Sequence, residues 1–356
     1  MNRRTFLLSL APLLASGFAI VAAFLIGAVF LQLLGKDSLR AYQMLVSRGL
    51  GSRFGVTETL IKMAPLLLVS AGLLIALKAG VWNIGIDGQF LVGATMAGIV
   101  AARLAGTMAL APMLLVSALV GFLGGAAWGL IPALLKVRYG LNEIITTIMM
   151  NYVAIYLTSW LVKGPFKDPT VVPPQTPVIP KAFRLPPIPL TRIHIGLLAG
   201  LLAVLLVAFL FRNTVLGFQL WVLGQNRRAA IHAGLPVDRL TVLALLLSAG
   251  FAGLAGANDV LGVKGLFQGE WNPAYGLTGF ALVFLARLNG LWVIPFAYFF
   301  SFLLFGGEMM ARSANIPAYF VDMLEGLMLL FFAVAVSLER ASARRERRRL
   351  AGAEGA

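Results

Sequence analysis

Apolar residues in this chain lie in runs of about 20, separated by short polar breaks. A helix needs a run of this length to cross the hydrocarbon core of a bilayer. The pattern therefore predicts an all-α polytopic membrane protein of about ten transmembrane helices. The predicted segments lie at approximately 6–34, 58–80, 84–104, 109–135, 144–163, 193–211, 240–258, 275–290, 291–311 and 318–338.

The basic residues set the expected orientation. The formal net charge is +15, and six of the 29 Lys and Arg residues follow the last apolar run, at positions 340, 344, 345, 347, 348 and 349. Such a cluster marks a cytoplasmic end close to anionic lipid. With an even number of spans, both termini then lie in the cytoplasm. The first external loop would carry four basic residues between 36 and 53, which is the opposite of the preference of basic residues for cytoplasmic loops. We predict a membrane domain over 1–338 and a basic cytoplasmic tail over 339–356.

The N-terminal run begins like a signal peptide, with Arg3 and Arg4 before apolar and small residues. Its uncharged stretch continues from Thr5 to Gly35, which is too long for a signal sequence and long enough to span with tilt. We predict that it is the first helix and stays in the mature chain.

The residue types and motifs that the sequence lacks limit the kinds of site that this chain can form. The chain has no cysteine and two histidines, His194 and His232, which disfavours disulfides, thiol nucleophiles and zinc sites. No Gly-x-x-x-x-Gly-Lys-[Ser/Thr] phosphate loop occurs, so the energy for any transport must come from another subunit or from an ion gradient. The basic tail lacks the interleaved aromatic residues of a nucleic-acid surface, and no nucleic acid is expected as a partner. Asp259 and Glu270 are interpreted as solvated loop charges.

Polar residues interrupt the apolar sequence at 78–93. Asn83, Asp87 and Gln89 stand there at membrane depth, where polar groups are costly unless they face protein or a water-filled path. We expect them to line a path or to form a packing and gating break. The further candidates for this path or its gating border two other segments, and they are Asn142, Asn151, Trp271 and Asn272. A tryptophan beside an amide suits a planar base, although an interfacial anchor is the simpler role for Trp271.

Two connections differ from ordinary short loops. Residues 164–192 hold nine of the 17 prolines, which predicts an extended external loop that serves either a partner or a spacer role. Residues 212–239 carry a short small-residue stretch, Ala229 and Ala230, which predicts a short cytoplasmic helix ended by Gly234 and Pro236. Its small face favours docking to a partner over lying on lipid.

These segments resemble one transporter family. Ala229-Ala230, three intervening positions and Gly234 resemble the EAA-type coupling loop of ABC-importer permeases. Together with Asn83-Ile-Gly-Ile-Asp-Gly-Gln89 and Gly140-Leu-Asn-Glu-Ile-Ile-Thr-Thr-Ile-Met-Met-Asn-Tyr152, the loop 224–234 resembles the branch that serves simple sugars, branched-chain amino acids and nucleosides. Within that branch the chain is similar to nucleoside permeases that work with a basic-membrane-protein-type binding lipoprotein. That family commonly has Glu where Asp87 stands.

The resemblance implies a multi-pass permease of the bacterial inner membrane, without chemistry or a bound cofactor of its own. It implies ATP-binding subunits that use the ATP, a second and often different permease subunit, and an external binding lipoprotein. The solute expected is a nucleoside, with a ribose-like sugar as the alternative and an ion-coupled secondary transporter as the rival class. The residues expected to couple to the ATPase are Gly224, Asn226, Ala229, Ala230 and Gly234.

Overall fold

The computed structural model describes residues 3–317 and 319–353, and within these ranges it contains thirteen α-helices and no β-strand. The helices are α1 Arg3–Leu33, α2 Ser38–Gly49, α3 Arg53–Lys78, α4 Ile86–Leu104, α5 Leu110–Tyr139, α6 Glu143–Lys163, α7 Gly196–Asn213, α8 Val215–Gln225, α9 Arg227–His232, α10 Val237–Asp259, α11 Tyr275–Leu285, α12 Gly290–Ala314 and α13 Phe320–Ala353. A π-helical turn, Val260–Lys264, continues α10.

Eight of the described helices are long and apolar enough to cross a membrane: α1, α3, α5, α6, α7, α10 with its π-turn, α12 and α13. The predicted segments 84–104 and 275–290 correspond to α4 and α11. α11 has only 11 residues, so at about 1.5 Å per residue it spans roughly half of the hydrocarbon core. The predicted all-α polytopic fold is confirmed.

α10 lies at the centre of the bundle, against α3, α4 and α5. Two glycines allow the closest approaches: a Cβ on Gly93 of α4 would lie 2.3 Å from the Cα of Gly253, and a Cβ on Gly253 would lie 2.8 Å from the Cα of Gly125 in α5. Small residues at helix crossings are the usual means of tight packing inside a membrane, where no hydrophobic effect drives helices together. The helices that carry the candidate residues are therefore held close to one another.

Two helices occupy connections in which the apolar pattern predicted none. α2 lies in the predicted loop after the first span, and Asp37 caps it by accepting a hydrogen bond from the Arg40 N–H at 3.0 Å. α8 follows α7 directly, and Thr214 caps it. Both are only 11 or 12 residues long, and helices of that length depend on tertiary packing, which a sequence window does not report.

α13 passes through the predicted boundary at 339 without a break and ends at Ala353. Alanine, arginine, glutamate and leucine dominate this stretch and are good helix formers. Residues 354–356 of the predicted tail lie outside the described residues. The assignment of 339–356 as a separate cytoplasmic unit stays a prediction.

The proline-rich segment is extended, as predicted, apart from a 3₁₀ turn at Lys181–Phe183. It packs along the connection after α10 through backbone hydrogen bonds, from the Thr176 N–H to the Phe267 carbonyl at 2.9 Å and from the Ile179 N–H to the Gly265 carbonyl at 2.7 Å. His194, at its end, is buried against Gly262 of the π-turn. Burial lowers the pKa of the His194 imidazole to about 4, so the ring is neutral at pH 7.

Candidate functional site

The break between α3 and α4, residues 79–85, is held by side chains of α6. The Gly88 N–H donates to Asn151 Oδ1 at 2.8 Å, and Asn151 Nδ2 donates to the Ile84 carbonyl at 2.9 Å. The Ile84 N–H donates to Thr147 Oγ1 at 3.2 Å. Backbone groups freed by a helix break at membrane depth must find such partners. Asn151 thus lies at the break, where the sequence suggested a polar role.

Asn83 and Gln89 form a reciprocal amide pair inside the protein. Asn83 Nδ2 donates to Gln89 Oε1 at 2.8 Å, and Gln89 Nε2 donates to Asn83 Oδ1 at 2.9 Å. Asn83 also donates to Ser248 Oγ of α10 at 2.9 Å. The two side chains are 0% and 1% exposed, so they join the break to α10 and do not face an open cavity.

Asp87 caps a different helix. Its Oδ1 accepts a hydrogen bond at 2.7 Å from the N–H of Gly276, in the first turn of α11. α11 has no capping side chain of its own, since Ala274 stands at its N-cap position with φ +55°. A carboxylate there satisfies a free N–H and complements the positive end of the helix dipole. The breaks before α4 and before α11 therefore meet at Asp87.

A cavity of about 770 Å³ opens at the end of α10 that is remote from α9, and we call it the outer cavity. Its lining comes from α3, the segment before α7, the end of α10, the α10–α11 connection, the start of α11 and α12. The main polar and aromatic lining residues are Glu58, Lys62, Arg192, Asp259, Lys264, Trp271, Asn272, Tyr275, Phe305, Glu308 and Arg312. Trp271 and Asn272 thus line a cavity, as the interpretation of this pair as a path element requires.

The indole of Trp271 is held in place from several sides. It packs edge-to-face against Phe90 and Phe267, with ring centroids 5.7 and 5.8 Å apart, and the ammonium group of Lys264 lies 5.0 Å from its centroid. Neighbouring Asn272 is exposed, and its Oδ1 accepts a hydrogen bond from the Ala274 N–H at 3.0 Å. A fixed aromatic ring beside an amide offers a planar solute a stacking face and hydrogen-bonding groups.

The interpretation of Asp259 as a solvated loop charge was wrong. Asp259 ends α10, is 5% exposed and lines the outer cavity. Glu270 is exposed as expected and pairs with Lys163 at 2.6 Å, and this hydrogen-bonded ammonium lowers the pKa of the Glu270 carboxyl. Sequence spacing did not find Asp259, Lys62 or Tyr275, because three separate segments bring them together.

Asn142 does not line the outer cavity, and it precedes Glu143, whose carboxylate accepts a hydrogen bond from the Trp82 backbone in the α3–α4 break. The Asn142 side chain caps α6 by accepting from the Ile144 N–H at 2.9 Å, and the residue is exposed. The following Glu143 pairs with Lys136 of α5 at 2.5 Å. The arrangement accounts for Asn142 as a helix cap.

The predicted short helix in 212–239 is confirmed as α9. Asn226 caps it by accepting from the Ala229 N–H at 3.1 Å, and Gly234 follows its end with φ +72°. Ala230 is buried, whereas Ala229 and Ile231 are exposed. α9 thus has a small residue, Ala229, and an apolar residue, Ile231, on its exposed surface.

The end of α8, which leads into α9, packs closely against the end of α3. A Cβ on Gly224, just before α9, would lie 2.0 Å from the carbonyl oxygen of Lys78, and a Cβ on Gly80 would lie 3.0 Å from the Cα of Gly224. The backbone at Gly224 therefore touches the beginning of the α3–α4 break. A displacement of α9 would reach the Asn83–Gln89 pair within a few residues.

Comparison with known proteins identifies the family that has this architecture. The model of the family described as branched-chain amino acid transport system / permease component matches residues 55–333. The chain belongs to this permease family.

Individual relatives cover nearly the whole permease. The chain is 33% identical to the glucose ABC transporter permease protein TsgB13 of Haloferax volcanii, over 90% of this chain and 87% of that protein. It is 30% identical to the guanosine ABC transporter permease protein NupP of Bacillus subtilis, over 92% and 95%. It is also 30% identical to the nucleoside ABC transporter permease protein NupB of Lactococcus lactis, over 93% and 92%.

The permease is therefore a multi-pass integral membrane subunit of an ABC transporter of the nucleoside and sugar type, and not an enzyme. Membership of this family implies an ATP-binding subunit and a substrate-binding protein as partners. The resemblance identified from segments 83–89, 140–152 and 224–234 is confirmed.

The buried amide pair should behave as one unit in the permease. Gln89→Leu leaves the Asn83 amide without its partner, at a cost of about 1–3 kcal/mol, whereas the double variant Asn83→Leu/Gln89→Leu should cost less than the sum of both singles. Thermal unfolding of the purified permease in detergent measures the three variants. Gln32→Leu, at an exposed glutamine of α1, is the control and should change little. Additive effects of the two substitutions would contradict the pairing.

Proposed function

We propose that this permease imports nucleosides by alternating access, driven by ATP-binding subunits that dock on α9. The observation that carries the proposal is the outer cavity, in which Trp271 and Asn272 lie beside charged residues of both signs. Two relatives named for guanosine or nucleoside transport support it over nine-tenths of the chain. The 33% identity to a permease named for glucose keeps a sugar as the second candidate.

In the proposed cycle, an external binding lipoprotein delivers solute to the outer cavity. The side of α9 faces the cytoplasm together with both termini, so the outer cavity faces outward. Three acidic side chains, Glu58, Asp259 and Glu308, stand among four basic ones, Lys62, Arg192, Lys264 and Arg312. Lys62 and Glu308 pair at 2.6 Å. Such a lining suits a neutral solute with many hydroxyl groups and a planar ring better than an ion.

Gating is proposed for the two helix breaks that meet at Asp87. ATP-driven movement of the partner subunits would displace α9 and, through Gly224, the end of α3. The Asn83–Gln89 pair and Asn151 would carry this displacement to α4, and Asp87 would carry it to α11 and the outer cavity. Asn83, Asp87, Gln89 and Asn151 then act as gating elements, while Trp271 and Asn272 line the path. A second, different permease subunit would complete the transporter.

The substrate can be tested by reconstituting the permease with its ATP-binding subunit, a second permease subunit and a binding lipoprotein. We expect ATP-dependent uptake of labelled guanosine into proteoliposomes, with little uptake of glucose. Trp271→Leu should reduce uptake roughly tenfold or more, since stacking on an aromatic ring contributes about 1–3 kcal/mol per base. Trp160→Leu, at a tryptophan of α6 that is 61% exposed, is the matched control. Glucose uptake without guanosine uptake would favour the sugar alternative.

A further inference from the structure

We propose that a groove on the α9 side of the permease binds an anionic phospholipid. The groove has a volume of about 1050 Å³ and lies between the ends of α3 and α7, α8 and the α11–α12 connection. Its basic residues are Lys78, Arg212 and Arg287, and its apolar wall includes Leu205, Phe209 and Trp221. We call it the basic groove. It is separate from the outer cavity and does not depend on which solute is carried.

The basic groove has more positive charge than its own residues neutralise. Among the ion pairs of the described residues, Arg287 pairs with Glu339 at 3.0 Å, whereas Lys78 and Arg212 take part in none. The Lys78 ammonium lies 4.6 Å from the centroid of the Phe211 ring. This contact with an aromatic ring does not neutralise the positive charge as a carboxylate would. The lining also offers the side-chain amides of Asn213 and Asn289. This set of donors and cations fits a phosphate group.

The wall of the basic groove is apolar and exposed. Leu205 and Phe209 of α7 are 47% and 57% exposed, Leu291 of α12 is 57% exposed, and Trp221 of α8 is 46% exposed. Leu205, Phe209 and Leu291 lie on membrane-spanning helices, and the cations lie at or next to helix ends. Tryptophan is typical of the lipid headgroup level. The ligand must therefore combine an anionic end with an apolar body, which describes a lipid and not a nucleotide or an acidic protein loop.

The position of the basic groove gives the lipid a role. Lys78 ends α3 where it touches Gly224, the residue that leads into α9. Arg287 and Leu288 form a left-handed turn between α11 and α12, with φ of +53° and +57°, a conformation that is uncommon for residues with a side chain. A headgroup bound between these cations would bridge the ends of α3, α7 and α11. The lipid would thereby stabilise the contact between Gly224 and the end of α3, through which a displacement of α9 would reach α3.

The test counts lipid on the purified, delipidated permease. Native mass spectrometry and thermal unfolding are followed while phosphatidylglycerol or phosphatidylcholine is added. We expect phosphatidylglycerol to bind and raise the melting temperature, and phosphatidylcholine to have little effect. The variant Lys78→Gln/Arg212→Gln should bind phosphatidylglycerol roughly tenfold more weakly, since each cation near a lipid surface contributes substantially. Because Lys78 is half-buried, the exposed single variant Arg212→Glu is measured as well and should also weaken binding.

Arg138→Gln/Arg239→Gln is the matched control, because it removes two exposed cations outside the basic groove. An equal loss of phosphatidylglycerol in this control would show general attraction and overturn the proposal. Equal stabilisation by inorganic phosphate would also overturn it, since the apolar wall would then have no role. Crosslinking of Phe209→Cys to the second permease subunit, with no lipid bound, would assign the basic groove to a protein interface instead.

Discussion

Substitution of Ala229 by tryptophan is expected to abolish ATP-driven uptake while the permease still folds and inserts. Ala229 is exposed on α9, whereas its neighbour Ala230 is fully buried, so a large side chain at 229 projects outward and disturbs no internal packing. If α9 enters a groove of the ATP-binding subunit, the indole prevents close docking. Uptake into proteoliposomes should fall more than tenfold, and the amount of ATPase that copurifies with the permease should fall with it.

The same change at Ala111 gives the matched control. Ala111 is exposed in the first turn of α5, which lies at the opposite side of the membrane from α9. Ala111→Trp should leave uptake and ATPase copurification near wild type. Normal uptake by the Ala229→Trp variant would contradict the proposed coupling of α9 to the ATP-binding subunit. Gly234→Trp is the less clean test of the same role, because its φ of +72° strains any residue with a side chain.

Replacing Asp87 by alanine should lower both stability and transport. The substitution removes the cap of α11 and leaves the Gly276 N–H without its partner inside the protein, at a cost of about 2 kcal/mol or more. Asp87→Asn keeps an oxygen that accepts the same hydrogen bond and should recover most of the loss. Apparent melting temperature in detergent and ATP-driven uptake are measured for both variants.

Asp37→Ala is the control for this prediction. Asp37 also caps a helix, α2, but it does so at an exposed site, so its loss should cost about 1 kcal/mol or less and leave uptake intact. A stable Asp87→Asn permease without transport would show that the negative charge itself is required. That outcome would favour the ion-coupled transporter, in which the charge of Asp87 could take part in transport, and would count against the capping account.

The predictions for Ala229 and Asp87 test the two ends of one series of contacts between helices. Gly224, in the last turn of α8 just before α9, touches the end of α3, and the α3–α4 break is tied to α10 by the hydrogen bond from Asn83 to Ser248. Asp87 then connects α4 to α11 across 189 positions of sequence. Helix breaks joined by hydrogen bonds can move as units, and breaks at membrane depth are common where transporters bind or gate solute.

The apolar pattern determined the class of this protein because a membrane span has a fixed length and few charges, and both are local properties. Helix formers and terminators are local as well, so Ala229, Ala230, Gly234 and Pro236 predicted α9 correctly. The short helices α2 and α8 escaped prediction because helices of this length depend on neighbours.

Only the tertiary structure decided what the polar residues do. The sequence placed Asn83, Asp87 and Gln89 together as either a path lining or a packing and gating break, and the fold buries two of them against each other and turns the third to α11. It also brings Asp259 into a cavity with residues of α3 and α12. A buried polar group must be paired, and sequence alone can show that need. The identity of its partner depends on how the helices cross, and the sequence of a single segment does not contain this information.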